Sequence, residues 1–146
     1  MAVGDVLRGQ NVRVEVTIDG EVQSAFTTNV EATITPNLES DERNYQGMKA
    51  PIFRSVYNGV SMTLTSEPDS SDWLQLVLLQ IAKAKQDDDA LQKIVNVYAD
   101  ADYGNGDLIR IMLPDATYHS PSIPLPGRTD AQAISSGFSA SEMVPI

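Results

Sequence analysis

Residues Asn11–Gly20 read NVRVEVTIDG. Val12, Val14, Val16 and Ile18 alternate with Asn11, Arg13, Glu15 and Thr17, the period-two pattern of a strand with one buried face. Asp19-Gly20 follows at once, and this dipeptide accepts the positive φ angles of a tight hairpin turn. A partner strand is therefore expected through Val22 towards Phe26. The chain opens as an antiparallel hairpin.

Working outward, Val30, Ala32 and Ile34 alternate with Glu31, Thr33 and Thr35, a third strand expected to stop at Pro36. From Asn37 to Pro51 the apolar period is lost: NLESDERNYQGMKAP is polar and mixed in charge, and it predicts a long irregular loop. Loops of that length in compact domains commonly carry function. Val56, Val60, Met62 and Leu64 then mark another strand around Asn58-Gly59, with Ser61, Thr63 and Thr65 on its wet face.

The period next becomes helical, with Leu74, Val77, Leu78 and Ile81 as the apolar stripe. Asp69, Ser70, Ser71 and Asp72 suit its N-terminus and Lys83 and Lys85 its C-terminus, with Asp87-Asp88-Asp89 as a solvated exit. Ile94–Tyr98 and Leu108–Leu113 read as two strands joined by the turn-rich DADYGNGD. Tyr118–Leu125 is an edge strand or connector, confined by Pro121, Pro124 and Pro126, and Ala133–Ile146 alternates weakly through Ile134, Phe138 and Met143. Strands, one helix and more strands predict one mainly β domain over residues 1–146. Its expected form is an antiparallel β-sandwich or open barrel with a helix beside it.

The net charge of -10 and pI near 4.3 disfavour binding to nucleic acid or an anionic membrane, because phosphate contacts need Lys and Arg. The chain has no cysteine, which removes thiol catalysis and disulfides. Met1–Gln10 has no apolar run of the signal-peptide kind, and Trp73–Ala84 is interrupted by Gln75, Gln80 and Lys83, too polar and short for a span. His119 is the only histidine and no G-x-S-x-G elbow accompanies it, so an edge-strand histidine is expected. Asp100–Gly106 misses the glycine and the glutamate of a calcium loop and reads as a turn. No catalytic, cofactor-binding or metal residue is assigned, and no enzyme is expected.

The stretch from Leu38 to Glu67, LESDERNYQGMKAPIFRSVYNGVSMTLTSE, follows a strand and leads to the single helix. In this layout the chain resembles the tail tube proteins of contractile-tailed bacteriophages, which are similar in fold to R-type tailocin tubes and the type VI secretion tube protein. The short arm over 1–10 and the Gly/Pro-rich C-terminal extension over 126–146 fit the same plan. The resemblance implies a structural subunit that forms hexameric rings, each copy lending strands to a ring-wide inner barrel. Such rings stack into a tube inside a tail sheath protein, around a tape-measure protein, between baseplate and tail terminator proteins. It also implies a virion tail assembled in the host cytoplasm, DNA passing through the lumen without specific binding, and no membrane.

By position, the resemblance makes 37–51 an inter-ring loop, with Glu39, Asp41, Glu42, Arg43, Lys49 and nearby Arg54 as complementary charges. A mobile, solvated loop is the alternative. Six copies at -10 each carry about -60, and acid on the lumen wall repels phosphate over about 8 Å at physiological salt. Glu15, Glu21 and Glu31 are the lumen candidates, being outward residues of expected strands. The rival is a small β-sandwich baseplate or fibre module that binds protein or carbohydrate. Tyr45, Tyr57, Tyr98, Tyr103 and Tyr118 are scattered and offer it no stacking platform.

Overall fold

The computed structural model describes residues 12–23, 29–47, 49–68, 71–104, 106–119, 123–130 and 132–146. The N-terminal arm over 1–10, Phe26, Asp69, Ser70 and Pro121 lie outside the described residues. β1 (Val12–Ile18) and β2 (Glu21–Val22) form the expected hairpin, with Asp19 at φ 50° and Gly20 at φ 88°. Asp19 also anchors the turn. Its amide donates to the Ile94 carbonyl and its carboxylate accepts from the Ile94 amide, both at 2.9 Å.

β3 (Asn29–Arg43) and β4 (Ile52–Ser66) are antiparallel strands of 15 residues each. They correct the expected loop: Asn37–Arg43 continues β3, and the pairing runs out to Arg43 opposite Ile52. Pro36 does not end the strand, because β3 is the edge of its sheet and an edge tolerates a missing amide proton. Next to the proline the register slips, Pro36 facing Val60 but Leu38 facing Tyr57, so that Asn58 and Gly59 oppose Asn37 alone. Gly59 permits this bulge at φ 81°, and a Cβ there would meet the Ala140 carbonyl oxygen at 2.8 Å.

α1 (Asp72–Ala84) is rotated by one residue from the expected stripe. Trp73, Leu76 and Val77 are buried, while Leu78 and Ile81 are 57% and 45% exposed. Leu79 is buried as well, and Gln80 beside it is half-buried, its side-chain oxygen accepting from the Tyr118 amide at 3.2 Å. The Asp87–Asp89 run starts a second helix, α2 (Asp88–Leu91), where it was expected to lead away from the first. The Asp87 carboxylate caps it, accepting from the Asp89 amide at 3.2 Å.

β5 (Val95–Asp102), β6 (Leu108–Leu113), β7 (Thr117–His119), β8 (Ile134–Ala140) and β9 (Val144–Pro145) complete the domain. The DADYGNGD segment joins β5 to β6 as a turn, with Gly104 and Gly106 at positive φ. The strands form two antiparallel sheets, β2-β1-β5-β6-β9 and β3-β4-β8-β7, in a sandwich that is not a closed barrel. The region 126–146 is more than an extension, because β8 lies between β4 and β7 with Ile134 and Phe138 buried. β7 begins one residue before the Tyr118–Leu125 expectation and is described to His119; residues 120–122 lie outside the described residues, and 123–125 are not strand. Phe138 and Tyr118 pack with ring centroids 5.1 Å apart, beside Met62, Leu64, Leu76 and Leu113.

Candidate assembly interface

Beyond the Gly59 bulge the β3–β4 pair leaves the sandwich as a two-stranded ribbon, and every residue from Ile52 to Asn58 is exposed. Residues directly opposite share a face, so the register sorts the ribbon's side chains in two. One face carries Leu38 with Tyr57, Ser40 with Ser55, and Glu42 with Phe53. The other carries Glu39 with Val56, Asp41 with Arg54, and Arg43 with Ile52. The first is the more apolar: Leu38 and Phe53 are each 64% exposed and Tyr57 is 49% exposed, while the charged face adds Val56 and Ile52 at 40% and 41%.

The charged residues expected to bridge copies are thus divided. Glu39, Asp41, Arg43 and Arg54 share one face, where Arg43 Nε donates to Asp41 Oδ2 at 2.9 Å. Glu42 stands on the opposite face, and Lys49 lies in the connection at the tip. Such exposed pairs contribute only about 0–1 kcal/mol each to stability. Residues 37–58 hold three acids and three bases and are neutral, and the rest of the chain therefore carries the whole net charge of -10. The sequence alone gives no reason to group Leu38, Phe53 and Tyr57. Their signal becomes readable only when the segment is folded as a hairpin, because Phe53 and Tyr57 are four residues apart on one strand and Leu38 faces Tyr57.

The three acids expected at a lumen are not brought to one surface. Glu15 and Glu21 belong to the five-stranded sheet, and Glu15 is ion-paired with Arg13. Glu31 belongs to the four-stranded sheet, opposite Thr65. The outward face of that second sheet is a field of hydroxyls: Thr33, Thr35, Ser61, Thr63, Ser139 and Thr117 occupy neighbouring register positions. His119 closes this face at the edge strand, its ring lying over Gly137, where a Cβ would approach Nδ1 to 2.8 Å. Among the described residues no cluster of three or more His, Asp or Glu is arranged to hold a metal ion.

No protein-family model matches the chain, and no curated protein matches it in sequence. Solved structures do match in fold. A chain of the sheath/tube terminator of an extracellular contractile injection system (PVC) in its extended state aligns with a TM-score of 0.64 at 12% identity. The alignment covers 99% of both chains. The fold is one found in contractile injection systems. A chain of the tube-terminating cap of the anti-feeding prophage aligns with a TM-score of 0.63 at 16% identity, covering 100% of this chain and 94% of that one. A chain of the PVC sheath-tube complex gives 0.62 at 13% identity, covering 99% and 93%. The likeness at this identity is one of architecture.

Proposed function

We propose that this chain is a structural, non-enzymatic tube subunit of a contractile tail or injection apparatus, and that it works by stacking copies of itself into a conduit. The observation that carries this reading is the end-to-end likeness to chains of such assemblies, which leaves almost nothing of either chain unmatched. The protein's own features support it. The ribbon is an arm with no partner among the described residues, and isolated two-stranded hairpins are only marginally stable in water. β3 is also a long edge strand, which in a free monomer invites pairing with another chain.

In this reading the segment over 37–51, now the end of a β-ribbon, contacts a neighbouring ring of a hexameric stack. The charged face of Glu39, Asp41, Arg43 and Arg54 sets the register of that contact. The exposed hydroxyl face of the four-stranded sheet suits the wall of the bore, and Glu31, alone among the three candidate acids, belongs to that sheet. A sheath outside, a tape-measure protein inside, and baseplate and terminator proteins at the ends complete the assembly, in a phage tail that ejects DNA or a related injection device. A second reading, a cap that ends the tube, is favoured by the terminator and cap assemblies among the matches.

Electron microscopy of the purified protein across a range of concentrations tests both. A tube subunit gives hollow filaments that lengthen with concentration, and a cap gives single rings at every concentration. Replacing Ser40–Ser55 by an Asn-Gly turn trims both strands in register and should leave a folded monomer that no longer stacks. Unchanged filaments from the trimmed protein would remove the ribbon from the reading.

A further inference from the structure

The two sheets close tightly around Met62, Leu113 and Phe138, but on the β3 flank they stay apart. Val12 and Val14 of β1, Ala32 and Ile34 of β3, Ala99 of β5 and Ile111 of β6 line an apolar cleft of about 380 Å³ there. Its cause is side-chain size. Ala32, Ala99 and Ala101 occupy lining positions, in a sandwich whose closed half is filled by Met62, Leu64 and Phe138. Interiors are normally filled to crystal-like density, so an apolar cleft that the described residues leave unfilled is a position awaiting side chains.

We infer that this cleft receives the apolar face of the ribbon, Leu38, Phe53 and Tyr57, from a second copy of the chain. The inference rests on the self-assembly reading and names the two surfaces that meet. The chain's own ribbon cannot fill the cleft. Ile34 lies in the cleft, Leu38 is four residues further along the same strand, and Phe53 pairs with Glu42, eight residues along. At about 3.3 Å per residue these anchors stand roughly 13 and 26 Å away in the direction leading out of the sandwich.

Charge selects the same pair of surfaces. Two copies at -10 repel, and the neutral ribbon is the part that meets an acidic body without like charge. Knob and cleft are different surfaces, so the contact is heterologous and repeats from copy to copy into a closed ring or an open stack.

The absence of native cysteine makes the test clean. Two single-cysteine variants, Ser55→Cys between the ribbon's anchors and Ile109→Cys at the mouth of the cleft, sit at exposed positions and leave Leu38, Phe53 and Tyr57 in place, so neither disturbs the core or removes the contact. They are mixed in equal amounts under mild oxidation while the wild-type protein is followed by light scattering. The expected product is the mixed disulfide dimer, several-fold over either self-dimer, since a disulfide forms only when the two Cα atoms approach within about 7 Å. Ser55→Cys self-dimers alone would mean that ribbons meet ribbons, and would overturn the inference. Mixed dimers that appear only after removal of residues 1–11 would mean the cleft is filled from within the chain, and would overturn it too. Wild-type assembly without any mixed dimer overturns the inference and leaves the self-assembly reading standing. No assembly and no disulfide overturns both.

Discussion

The inner and outer halves of the β3–β4 hairpin share strands, hydrogen-bonding pattern and sequence neighbourhood, yet they are held by different physics. From Val60 to Ser66 the inward residues Val60, Met62, Leu64 and Ser66 are buried, and the alternating Ser and Thr face outwards. From Ile52 to Asn58 no residue is buried, and among the described residues the two strands pair here only with each other. The boundary is the bulge at Pro36, Asn37 and Gly59, where Asn37 Nδ2 donates to Ser61 Oγ at 3.0 Å. The inner half stabilises the fold. The outer half contributes no buried side chain among the described residues.

The largest effect that tests this contrast comes from truncating one phenylalanine in each half of the molecule. Phe138→Ala, at a fully buried position, should cost about 3–5 kcal/mol of folding stability, read from the urea midpoint. Phe53→Ala should change it by no more than about 0.5 kcal/mol while reducing self-association. Equal losses would mean that the ribbon is part of the folding unit.

Next in size is the junction. Gly59→Val forces a β-branched residue into positive φ against the Ala140 carbonyl, and should cost about 1–3 kcal/mol and alter the ribbon's direction. Solution scattering with and without the substitution checks the second part.

Tyr118→Phe gives a smaller change, about 1 kcal/mol, because it removes the hydrogen bond between the phenol and Ser136 Oγ at 3.2 Å. It also has a pH signature. Burial raises the Tyr118 pKa above its ordinary 10.0, while the bond to Ser136 acts the other way. The core holds the neutral phenol, so its contribution is complete below pH 10 and is lost as the pH rises through the folded-state value. Melting curves from about pH 9 to 11 should therefore fall for the wild type and stay flatter for Tyr118→Phe.

The smallest effect belongs to the ribbon's ion pair. Asp41→Asn should shift stability by less than about 0.5 kcal/mol, and its influence on assembly should vanish at high salt. A large, salt-independent loss of assembly would move the anchoring from the apolar face to the charged one.

Much of the fold is legible in the sequence because local chemistry decides it. Asp19-Gly20 makes a tight turn wherever two strands flank it, and the alternation of Val12, Val14 and Val16 reports a strand with one buried side. β8 is nearly hidden, since its outward Ser135, Gly137 and Ser139 have little strand preference and Ser136 occupies an inward position. The ribbon is legible in place but not in kind: residues 37–51 stand out in the sequence as polar and unpatterned, and the face that groups Leu38, Phe53 and Tyr57 does not.

By itself the sequence determined the antiparallel β class, the first hairpin, the presence of one principal helix and the lack of thiol chemistry. Those follow from residue chemistry acting over a few neighbours. Only the tertiary structure decided which side of α1 is buried, because Gln80 is acceptable half-buried once the Tyr118 amide is there to use it. It also decided that Pro36 can sit within a strand, because the partners that make β3 an edge come from remote parts of the chain. And it decided that Asn37–Arg43 is a strand at all. Alternation in a sequence records burial of one face, and a ribbon with neither face buried leaves no such record.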